Sequence, residues 1–405
     1  MKKVAVIGGG ASGMIAAGTA ARAGNKVYLI EKNERLGKKL RITGKGRCNI
    51  TNAAEISDFF AEIPTNPKFL YSALYSFTNR DIVALLEELG VAVKTERGGR
   101  IFPVSDNAND VADALKRYAL HKNTSLIRKR AGGIVISDGR AAGVNVGKTV
   151  IDADAVIVCT GGVSYPKTGS DGDGYRFARA AGHKIISPEP SLIPIVTKEK
   201  WTKDIMGLTL KNVGVSLVDG ERVVYSDFGE MLFTHFGLSG PVILSMSSHM
   251  KNIKETEYKI LIDLKPALDL DTLNKRVLSD FEKFRNKHLV NSLDELLPKA
   301  IIPVIIYISG ISPHTPVNVI TKNQRMRLIE AMKKLTLTVS GFRPISEAII
   351  TSGGVSTKEI NPKTMESRLV GGLYFAGEVI DVDAYTGGYN LQIAYSTGYL
   401  AGSSV

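Results

Sequence analysis

Three glycines near the start of the chain have the spacing of a dinucleotide-binding turn. Gly8, Gly10 and Gly13 form G-x-G-x-x-G directly after the apolar run 3–7 and at the start of a helix-like segment. In this motif the first glycine allows a tight turn, the second lets the backbone approach a pyrophosphate, and the third permits close packing of helix on strand. The N–H groups at the start of the helix then face the anion. The alternative is a glycine-rich turn in an ordinary β-α-β unit.

An acidic residue follows at the position that such a motif requires. Glu31 ends the second predicted strand and comes 18 residues after Gly13. A carboxylate there accepts hydrogen bonds from ribose hydroxyls and repels a 2′-phosphate. Strand, helix, second strand and acid are in register, which favours dinucleotide binding.

The rest of the chain favours FAD as the dinucleotide. Only one such fingerprint occurs, and a basic, glycine-rich loop at 34–52 follows the second strand in place of further alternating strands and helices. An extended FAD also needs groups from far along the chain. Residues 371–398 supply a strand, a Gly-Glu turn and a Gly-Gly-Tyr-Asn sequence at the start of the last helix. The N–H groups of that helix start would face the N1–C2=O2 edge of the flavin, where negative charge develops on reduction.

These motifs need a sheet and helices to position them, and the hydrophobic pattern predicts both. Helices are predicted at 67–90, 108–121 and 173–182, and a small antiparallel sheet at 126–158 with glycine turns at 132–133 and 138–139. The pattern then changes to short strands at 191–265 and to helices at 269–335. The sequence thus predicts an α/β fold with a split Rossmann-like FAD-binding domain, residues 1–190 and 344–405, and an inserted domain at 191–343.

Composition excludes several classes of protein. Of the 405 residues, 44% are hydrophobic and 23% charged, as in ordinary globular domains and unlike disordered or collagenous chains. Two cysteines, Cys48 and Cys159, without a C-x-x-C pair cannot form a disulfide framework and indicate a cytoplasmic protein. The apolar run 4–7 is far shorter than the ~20 residues that span a bilayer, so no membrane or export segment is expected.

The net charge of +12 arises from 52 lysines and arginines against 40 acidic residues. Part of this excess lies in the basic run 35–47, which would offset the two phosphate charges of FAD. The remainder is spread over the chain, for example at 128–130 and 333–334, a pattern more typical of a solvated surface than of a nucleic-acid groove. We therefore expect a small-molecule substrate and no nucleic-acid partner.

The sequence does not identify a catalytic side chain. Cys48 has no second cysteine within reach for a dithiol–disulfide cycle, so packing or flavin contact is favoured over a redox role. The six histidines lack metal-binding spacing, and no metal site is expected. His235 either satisfies a local backbone group or faces the cofactor. Tyr385 and Tyr389 either donate a proton to the substrate or form an aromatic wall against the flavin.

Five longer motifs together resemble one known family. They are GGGASG at 8–13, TGKGRCNITN at 43–52, IFPVSDNA at 101–108, TGGVSYPKTGSDGDGY at 160–175 and FAGEVIDVDAYTGGYNLQ at 375–392. Over essentially its whole length the chain resembles the BaiN/YhiN-like flavoproteins of the glutathione-reductase-type FAD superfamily. The resemblance implies a split FAD-binding domain and an insert that consists of a β-barrel and a helical part.

The resemblance also implies which residues hold each part of FAD. The pyrophosphate would be held by Gly8, Gly10, Ala11, Ser12 and Gly13, the adenosine ribose by Glu31, and the phosphates would be flanked by Lys32 and Lys39. The adenosine would lie near Thr160 and Gly161, and near Gly133, where the family usually has an apolar residue and only backbone contact is left. The ribityl chain and phosphates would be approached by Gly377, Glu378 and Asp381. The ribityl chain and ring would lie near Gly44, Arg47, Cys48 and Asn49, and the ring near Gly388, Tyr389, Asn390 and Gln392.

The function implied by the resemblance is that of an FAD-dependent oxidoreductase. Hydride would pass from NAD(P)H, a transient co-substrate, through the flavin to a small organic substrate such as a conjugated ketone. An aminoacetone-type oxidase, a basic flavoprotein acting on tRNA and a flavin-based redox sensor are the alternatives. The substrate, the redox partner, the catalytic acid or base and the oligomeric state stay open at this point.

Overall fold

The chain folds into two compact units, and the computed structural model describes residues 1–250, 252–253 and 255–405. One unit contains Met1–Ser191 and Pro344–Val405, and the other contains Leu192–Arg343. The first unit is therefore built from both ends of the chain. Each unit has its own hydrophobic core.

The described residues form strands and α-helices with the following bounds. The strands are β1 (Lys3–Ile7), β2 (Lys26–Ile30), β3 (Thr51–Asn52), β4 (Val93–Glu96), β5 (Arg100–Pro103), β6 (Thr124–Ile127), β7 (Ala131–Ser137), β8 (Arg140–Val146), β9 (Thr149–Asp152), β10 (Ala155–Val158), β11 (Ile185–Ser191), β12 (Ile195–Thr197), β13 (Thr209–Asp219), β14 (Arg222–Thr234), β15 (Gly237–Ser239), β16 (Tyr258–Asp263), β17 (Leu335–Phe342), β18 (Ile350–Val355) and β19 (Leu373–Phe375). The helices are α1 (Ala11–Arg22), α2 (Tyr71–Ser76), α3 (Asn79–Glu88), α4 (Ala108–Ala119), α5 (Asp173–Ala180), α6 (Pro241–Ser247), α7 (Leu270–Lys283), α8 (Ile302–Ser309), α9 (Lys322–Lys333) and α10 (Tyr389–Ser404).

A five-stranded parallel sheet in the order β19-β10-β1-β2-β6 forms the centre of the first unit. Its inner strands are short apolar runs that are almost entirely buried, as expected for parallel strands covered on both faces. The register pairs Ile7 with Ile30 and with Val158, and Val158 with Phe375. Because the strands are parallel, the segments that follow these four residues leave the sheet at one edge, where ligands of such folds bind. The predicted α/β fold with a Rossmann-like sheet is confirmed.

Helices α1 and α10 pack closely because α10 carries glycines where they meet. A Cβ on Gly398 would overlap the backbone oxygen of Ser12, and a Cβ on Gly402 would lie 2.6 Å from the oxygen of Ala16. Both pairs advance in the same direction, so the two helices run parallel. Gly398 lies nine residues after the start of α10 and Ser12 one residue after the start of α1, so with a rise of ~1.5 Å per residue α10 begins about 12 Å along its axis before the level at which α1 begins.

The small antiparallel sheet of the first unit differs in part from the expectation. Its strands are β7, β8 and β9, and Asp138 and Gly139 form the turn between the first two. The turn predicted at 132–133 is wrong, because both glycines lie within β7, where the pairing with β8 shifts register at Gly133. Glycine in a strand marks such a bulge as well as a turn, and the sequence pattern does not separate the two.

The second unit is built around a closed six-stranded barrel in the order β12-β15-β14-β13-β16-β17. Its longest pairing joins β13 and β14. Alternate residues in the middle of β13 (Val213, Val215 and Leu217) and at the end of β14 (Met231 and Phe233) are buried in the unit's core. Helices α7, α8 and α9 contribute further core residues. Among the helices that the structure describes, none is long and apolar enough to cross a membrane.

Candidate functional site

The glycine turn after β1 leaves the start of α1 open. Gly8 has a φ of +104°, which glycine reaches without strain, and a Cβ on Gly13 would overlap the carbonyl oxygen of Gly8. Gly10 caps the helix and has no side chain to cover the N–H groups of Ala11 and Ser12. Apart from the two chain neighbours of Gly10, no described residue has a heavy atom within 4 Å of the place where a Gly10 Cβ would stand. This open helix start fits the pyrophosphate of a dinucleotide.

Glu31 follows β2 at the same edge of the sheet and is 7% exposed. Its Oε2 accepts a hydrogen bond from the Gly9 N–H at 2.6 Å, and its Oε1 accepts two from Asn33, at 2.7 Å from the backbone N and 2.8 Å from Nδ2. A carboxylate offers about four acceptor positions, so about one remains for a ribose hydroxyl. Sequence reasoning missed Asn33, whose signal is an amide two residues after the acid.

On the adenosine side, Lys32 lies between two acids. Its Nζ is 2.7 Å from Asp171 and 3.2 Å from Asp173, at the start of α5. Gly133 lies in the bulge of β7, where a Cβ would be 3.7 Å from the Asn145 side chain. The contacts of Lys32 with a phosphate and of Gly133 with adenine stay predictions.

Two hydroxyl groups near the end of β10 are buried without a hydrogen-bond partner among the described residues. They belong to Thr160 and to Tyr175 of α5. Burial raises the pKa of Tyr175, and the nearby Glu378 and Asp381 act in the same direction. An unpaired buried hydroxyl costs about 1–3 kcal/mol, so both are positions where a cofactor or bound water fits. The neighbouring Gly161 has no room for a side chain, as Ser170 Oγ would lie 2.7 Å from its Cβ.

Glu378 links three segments that meet at this edge. Its Oε2 accepts a hydrogen bond from Lys39 Nζ at 2.7 Å, and its Oε1 accepts from Ser164 Oγ and from the Thr351 N–H, both at 2.9 Å. Lys39 also donates to Ser164 Oγ at 2.7 Å. The carboxylate is thus largely used within the protein, and contact of Glu378 or Lys39 with FAD stays a prediction. Ser164 and Thr351 were missed, because nothing in their local sequence marks them.

Asp381 is held by an asparagine that is distant in sequence. Asn66 Nδ2 donates to the backbone oxygen of Asp381 at 2.7 Å and to its Oδ2 at 3.0 Å. Burial raises the pKa of Asp381, and Asp383 raises it further. Asp383 is 2% exposed and accepts hydrogen bonds from Ser191 Oγ at 2.7 Å and Ser352 Oγ at 2.9 Å. The sequence analysis missed both Asn66 and Asp383. The D-x-D spacing at 381–383 is the signal that could have indicated Asp383, and the sequence around Asn66 holds no such signal.

The glycine-rich loop after β2 is held by an exposed ion-pair cluster. Arg47 pairs with Glu96 and, at 2.6 Å, with Asp106, and its guanidinium lies 4.2 Å from the ring centre of Phe102. A Cβ on Gly44 would lie 3.4 Å from the same ring. The contacts predicted between FAD and Arg47 or Gly44 stay predictions.

Cys48 is fully buried in this loop. Burial raises the pKa of its thiol to about 12, although a hydrogen bond with Thr43 acts in the opposite direction. Burial likewise raises the pKa of Cys159 to about 12. Both cysteines are free, and both are protonated at neutral pH, whereas reactive cysteines are thiolates. These observations favour packing over redox chemistry for Cys48.

The start of α10 is packed against the glycine-rich loop. Gly388 caps the helix with a φ of +103°, and a Cβ there would overlap the backbone of Thr51. With the Asn49 amide turned so that both its ends are satisfied, its oxygen accepts a hydrogen bond from the Gly388 N–H at 3.1 Å. Gly377 lies nearer to α1, where its Cβ would be 2.6 Å from Ser12 Oγ.

Two polar residues predicted at the flavin ring are bonded within the protein. Asn390 Oδ1 accepts from the Ala384 N–H at 2.9 Å, and its Nδ2 donates to the Ala384 oxygen at 2.6 Å. Gln392 is fully buried, accepts from Thr51 Oγ1 at 2.8 Å and donates to the Phe77 oxygen at 3.0 Å. They therefore shape the turn and anchor α10, and their contact with the ring stays a prediction.

Tyr389, the first residue of α10, is 8% exposed and meets the ring of Phe59 edge-on at 4.9 Å. Burial raises its pKa to about 12, with Glu62 and Asp58 acting in the same direction. The phenol is therefore protonated at neutral pH, which suits both an aromatic wall and a proton donor. His235 belongs to the other unit. Within the described residues no three or more His, Cys, Asp and Glu side chains are grouped to hold a metal ion.

Comparisons with known proteins agree with this architecture. The family model described as the HI0933-like protein Rossmann domain matches residues 2–404. The chain is 34% identical to the 3-dehydro-bile acid delta(4,6)-reductase of Clostridium scindens, covering 99% of this chain and 98% of that protein. It is 31% identical to the ribosomal RNA dihydrouridine synthase of Haemophilus influenzae, covering 99% and 97% respectively.

Among solved structures, the fold is similar to that of the 3-ketosteroid delta1-dehydrogenase from Sterolibacterium denitrificans. The TM-score is 0.52 at 12% identity, and 99% of each chain is covered. Taken with the open start of α1 and the position of Glu31, the match over residues 2–404 shows that the chain belongs to the HI0933-like Rossmann-domain family and is an FAD-dependent oxidoreductase.

Proposed function

We propose that the protein uses NAD(P)H to reduce a carbon–carbon double bond conjugated with a carbonyl group in a small organic molecule. FAD carries the hydride from one substrate to the other. We place the protein in the reducing cytosol, which suits its two free, buried cysteines.

The observation that carries the proposal is the reaction type shared by relatives with unlike substrates. A delta(4,6)-reductase of a 3-dehydro bile acid saturates double bonds conjugated with the 3-oxo group. A dihydrouridine synthase saturates the C5=C6 bond of uridine, which is conjugated with the C4 carbonyl. The substrates differ in size and polarity, but both reactions add hydrogen across a bond that an adjacent carbonyl makes electron-poor.

The geometry of the first unit suits an extended FAD. Helices α1 and α10 both have a glycine at the N-cap, Gly10 and Gly388, and they run parallel with their starts offset by about 12 Å. The first helix start would hold the pyrophosphate and the second the flavin edge. Glu31 would accept a hydrogen bond from the ribose at the far end.

Bound FAD supplies the hydride chemistry, and the chain supplies position and electrostatics. The positive end of α10 favours negative charge at the flavin edge. Asn390 fixes the turn before α10 through the Ala384 backbone, and Gln392 fixes the first turn of the helix. Tyr389 carries its proton at neutral pH, as an ordinary tyrosine does. Burial raises its pKa to about 12, so it would donate that proton only to a strongly basic group such as a substrate enolate.

Anaerobic mixing of the purified yellow protein with NADH and with NADPH tests the first half of the proposal. One nucleotide should bleach the flavin, and addition of a 3-oxo-4,6-diene steroid should restore the colour and give a product heavier by two hydrogen atoms. Bleaching by neither nucleotide would contradict the proposal. Reoxidation by oxygen alone, with aminoacetone as reductant, would favour the oxidase alternative.

Uridine in RNA is the second candidate substrate. It is favoured by two relatives named ribosomal RNA dihydrouridine synthase, 31% and 30% identical to this chain, and by the net charge of +12. If it is correct, ribosomal RNA will reoxidise the reduced flavin, and the rate will fall steeply with salt because phosphate contacts release counterions. The steroid would then leave the flavin reduced.

A further inference from the structure

The segment between β10 and α5 crosses to the residues that follow Glu31. We call residues 161–173 the strap. It begins at Gly161 after the end of β10, contains a short turn at Pro166–Thr168, and ends at Asp173, the first residue of α5. Long connections in compact domains are usually functional or mobile, so its contacts are informative.

The middle of the strap lies against Asn33. Asn33 Nδ2 donates a hydrogen bond to the Thr168 oxygen at 3.0 Å. A Cβ on Gly169 would lie 2.5 Å from the same Nδ2 and 3.4 Å from Lys32 Cε. There is thus no room between the strap and this stretch of chain.

The end of the strap is held by ion pairs. Asp171 lies 2.7 Å from Lys32 and 3.0 Å from Arg130, and Asp173 lies 3.2 Å from Lys32 and 2.7 Å from Arg130. Arg176 adds a pair with Asp173 at 3.3 Å. Burial would raise the pKa of Asp173, but hydrogen bonds from Arg130, Lys32 and Arg176 together outweigh it, and the pKa lies below its ordinary value. Asp173 therefore stays charged at neutral pH.

Asn33 connects the strap to the carboxylate predicted to bind ribose. Its backbone N and its Nδ2 both donate to Glu31 Oε1, and the same Nδ2 donates to the strap. The orientation of Glu31 and the position of the strap therefore both depend on the side-chain amide of Asn33.

We propose that residues 161–173 form an ionic strap that retains the adenosine end of FAD, with Asn33 as the residue that positions Glu31 against the ribose. The Lys32 and Arg130 pairs must open before the cofactor leaves. The inference rests on the proposed FAD site and adds to it a means of controlling cofactor release.

FAD release from the holoprotein tests this proposal. The increase in flavin fluorescence after dilution gives the release rate for the wild-type chain, for Asp171→Asn, and for the control Glu55→Gln, which removes one charge from the exposed pair with Arg80. Asp171→Asn should release FAD roughly tenfold faster at low salt, since it removes charge-assisted bonds to two cations. At ~1 M salt, where the screening length is about 3 Å, the wild-type rate should approach the variant rate. Glu55→Gln should behave as the wild type.

The role of Asn33 needs a readout that loss of packing alone would not change. Asn33→Ala should weaken FAD binding. Asn33→Asp places a second carboxylate beside Glu31, so its FAD affinity should depend on pH differently from that of the wild type, with tighter binding as the pH falls and one of the two carboxyl groups is protonated. An Asn33→Asp affinity that follows the wild-type pH profile would overturn the positioning role.

The remaining outcomes separate the strap from the FAD site. If the wild type holds FAD and Asp171→Asn releases it at the wild-type rate, the strap is overturned and the FAD site stands. If the purified chain neither contains nor takes up FAD, the site itself is overturned, and the strap with it. Arg130→Gln repeats the test from the cationic, largely exposed side and should release FAD as fast as Asp171→Asn.

Discussion

The two ends of the predicted cofactor site are built differently. At the adenosine end, the groups are the backbone of 8–13 and the carboxylate of Glu31, which lie close together in the sequence. At the ring end, the start of α10 is held by hydrogen bonds to distant segments, because its own Gln392 bonds to the Thr51 side chain and to the Phe77 backbone. Asn390 is bonded to the turn that precedes its own helix.

The residues of the two motifs therefore have different roles. Gly13 is required because a side chain there would overlap the Gly8 oxygen, and the open position at Gly10 is where we predict the ligand. The polar residues of 384–392 are required because they hold backbone N–H groups in place. We therefore expect changes at the first end to alter cofactor affinity, and changes at the second end to alter stability and the flavin spectrum.

The largest effect is expected for Gly13→Ala. Its Cβ would overlap the Gly8 oxygen, and neither backbone segment can move without displacing α1 from β1. The free energy of unfolding should fall by about 3 kcal/mol, and the protein should lose its FAD. Thermal unfolding and the bound-flavin content measure both effects.

Gly10→Ala is the matched control, because no described residue other than the two chain neighbours of Gly10 has a heavy atom within 4 Å of the new Cβ position. Its stability should stay near that of the wild type while FAD affinity falls, since the methyl group takes the place of the pyrophosphate. If Gly10→Ala and Gly13→Ala destabilise the fold equally, then Gly10 is needed for packing of the helix and not for leaving room for a ligand.

Gln392→Leu should have the next largest effect. The change leaves the hydroxyl of Thr51 and the oxygen of Phe77 with fewer partners in a fully buried place. The free energy of unfolding should fall by about 2 kcal/mol, as measured by denaturant unfolding. Gln324→Leu, at the exposed cap of α9, is the control and should cost about 1 kcal/mol. A stable Gln392→Leu variant that has lost only FAD would assign Gln392 to the ligand instead.

Glu31→Ala should weaken FAD binding by about tenfold to a hundredfold, because a charge-assisted hydrogen bond to ribose is worth roughly 1.5–3 kcal/mol. The absorption spectrum of the flavin that still binds should be nearly unchanged. Asn390→Ala should do the reverse, since it releases the Ala384 turn beside the ring end. A spectral shift in Glu31→Ala with none in Asn390→Ala would reverse the proposed orientation of FAD.

The smallest effect is expected for Cys48→Ala at neutral pH. The pKa of Cys48 is about 12 in the folded chain, above the value near 9 for a free thiol. The unfolded chain therefore loses the proton first, and stability should fall as the pH rises above about 9. Cys48→Ala should make this fall less steep and leave flavin reduction by NAD(P)H unchanged. Rapid alkylation of Cys48 in the folded protein at pH 8 would contradict its assignment as a buried thiol.

The sequence by itself determined the features that depend on local spacing. Gly8, Gly10 and Gly13 follow a strand and open a helix, and Glu31 ends the next strand, so the motif and the elements that position it lie within one β-α-β unit. The α/β fold followed from the same pattern. The bulge at Gly133 was not predictable in this way, since glycine serves turns and bulges alike.

Only the tertiary structure decided which polar groups are left for a ligand. Lys39, Glu378 and Ser164 lie far apart in the sequence and meet because three parallel strands end at one edge. Asn33 donates hydrogen bonds to both Glu31 and the strap, and the sequence analysis did not single it out. Hydrogen bonds between distant segments depend on how the chain folds back on itself, and residue spacing carries no record of them.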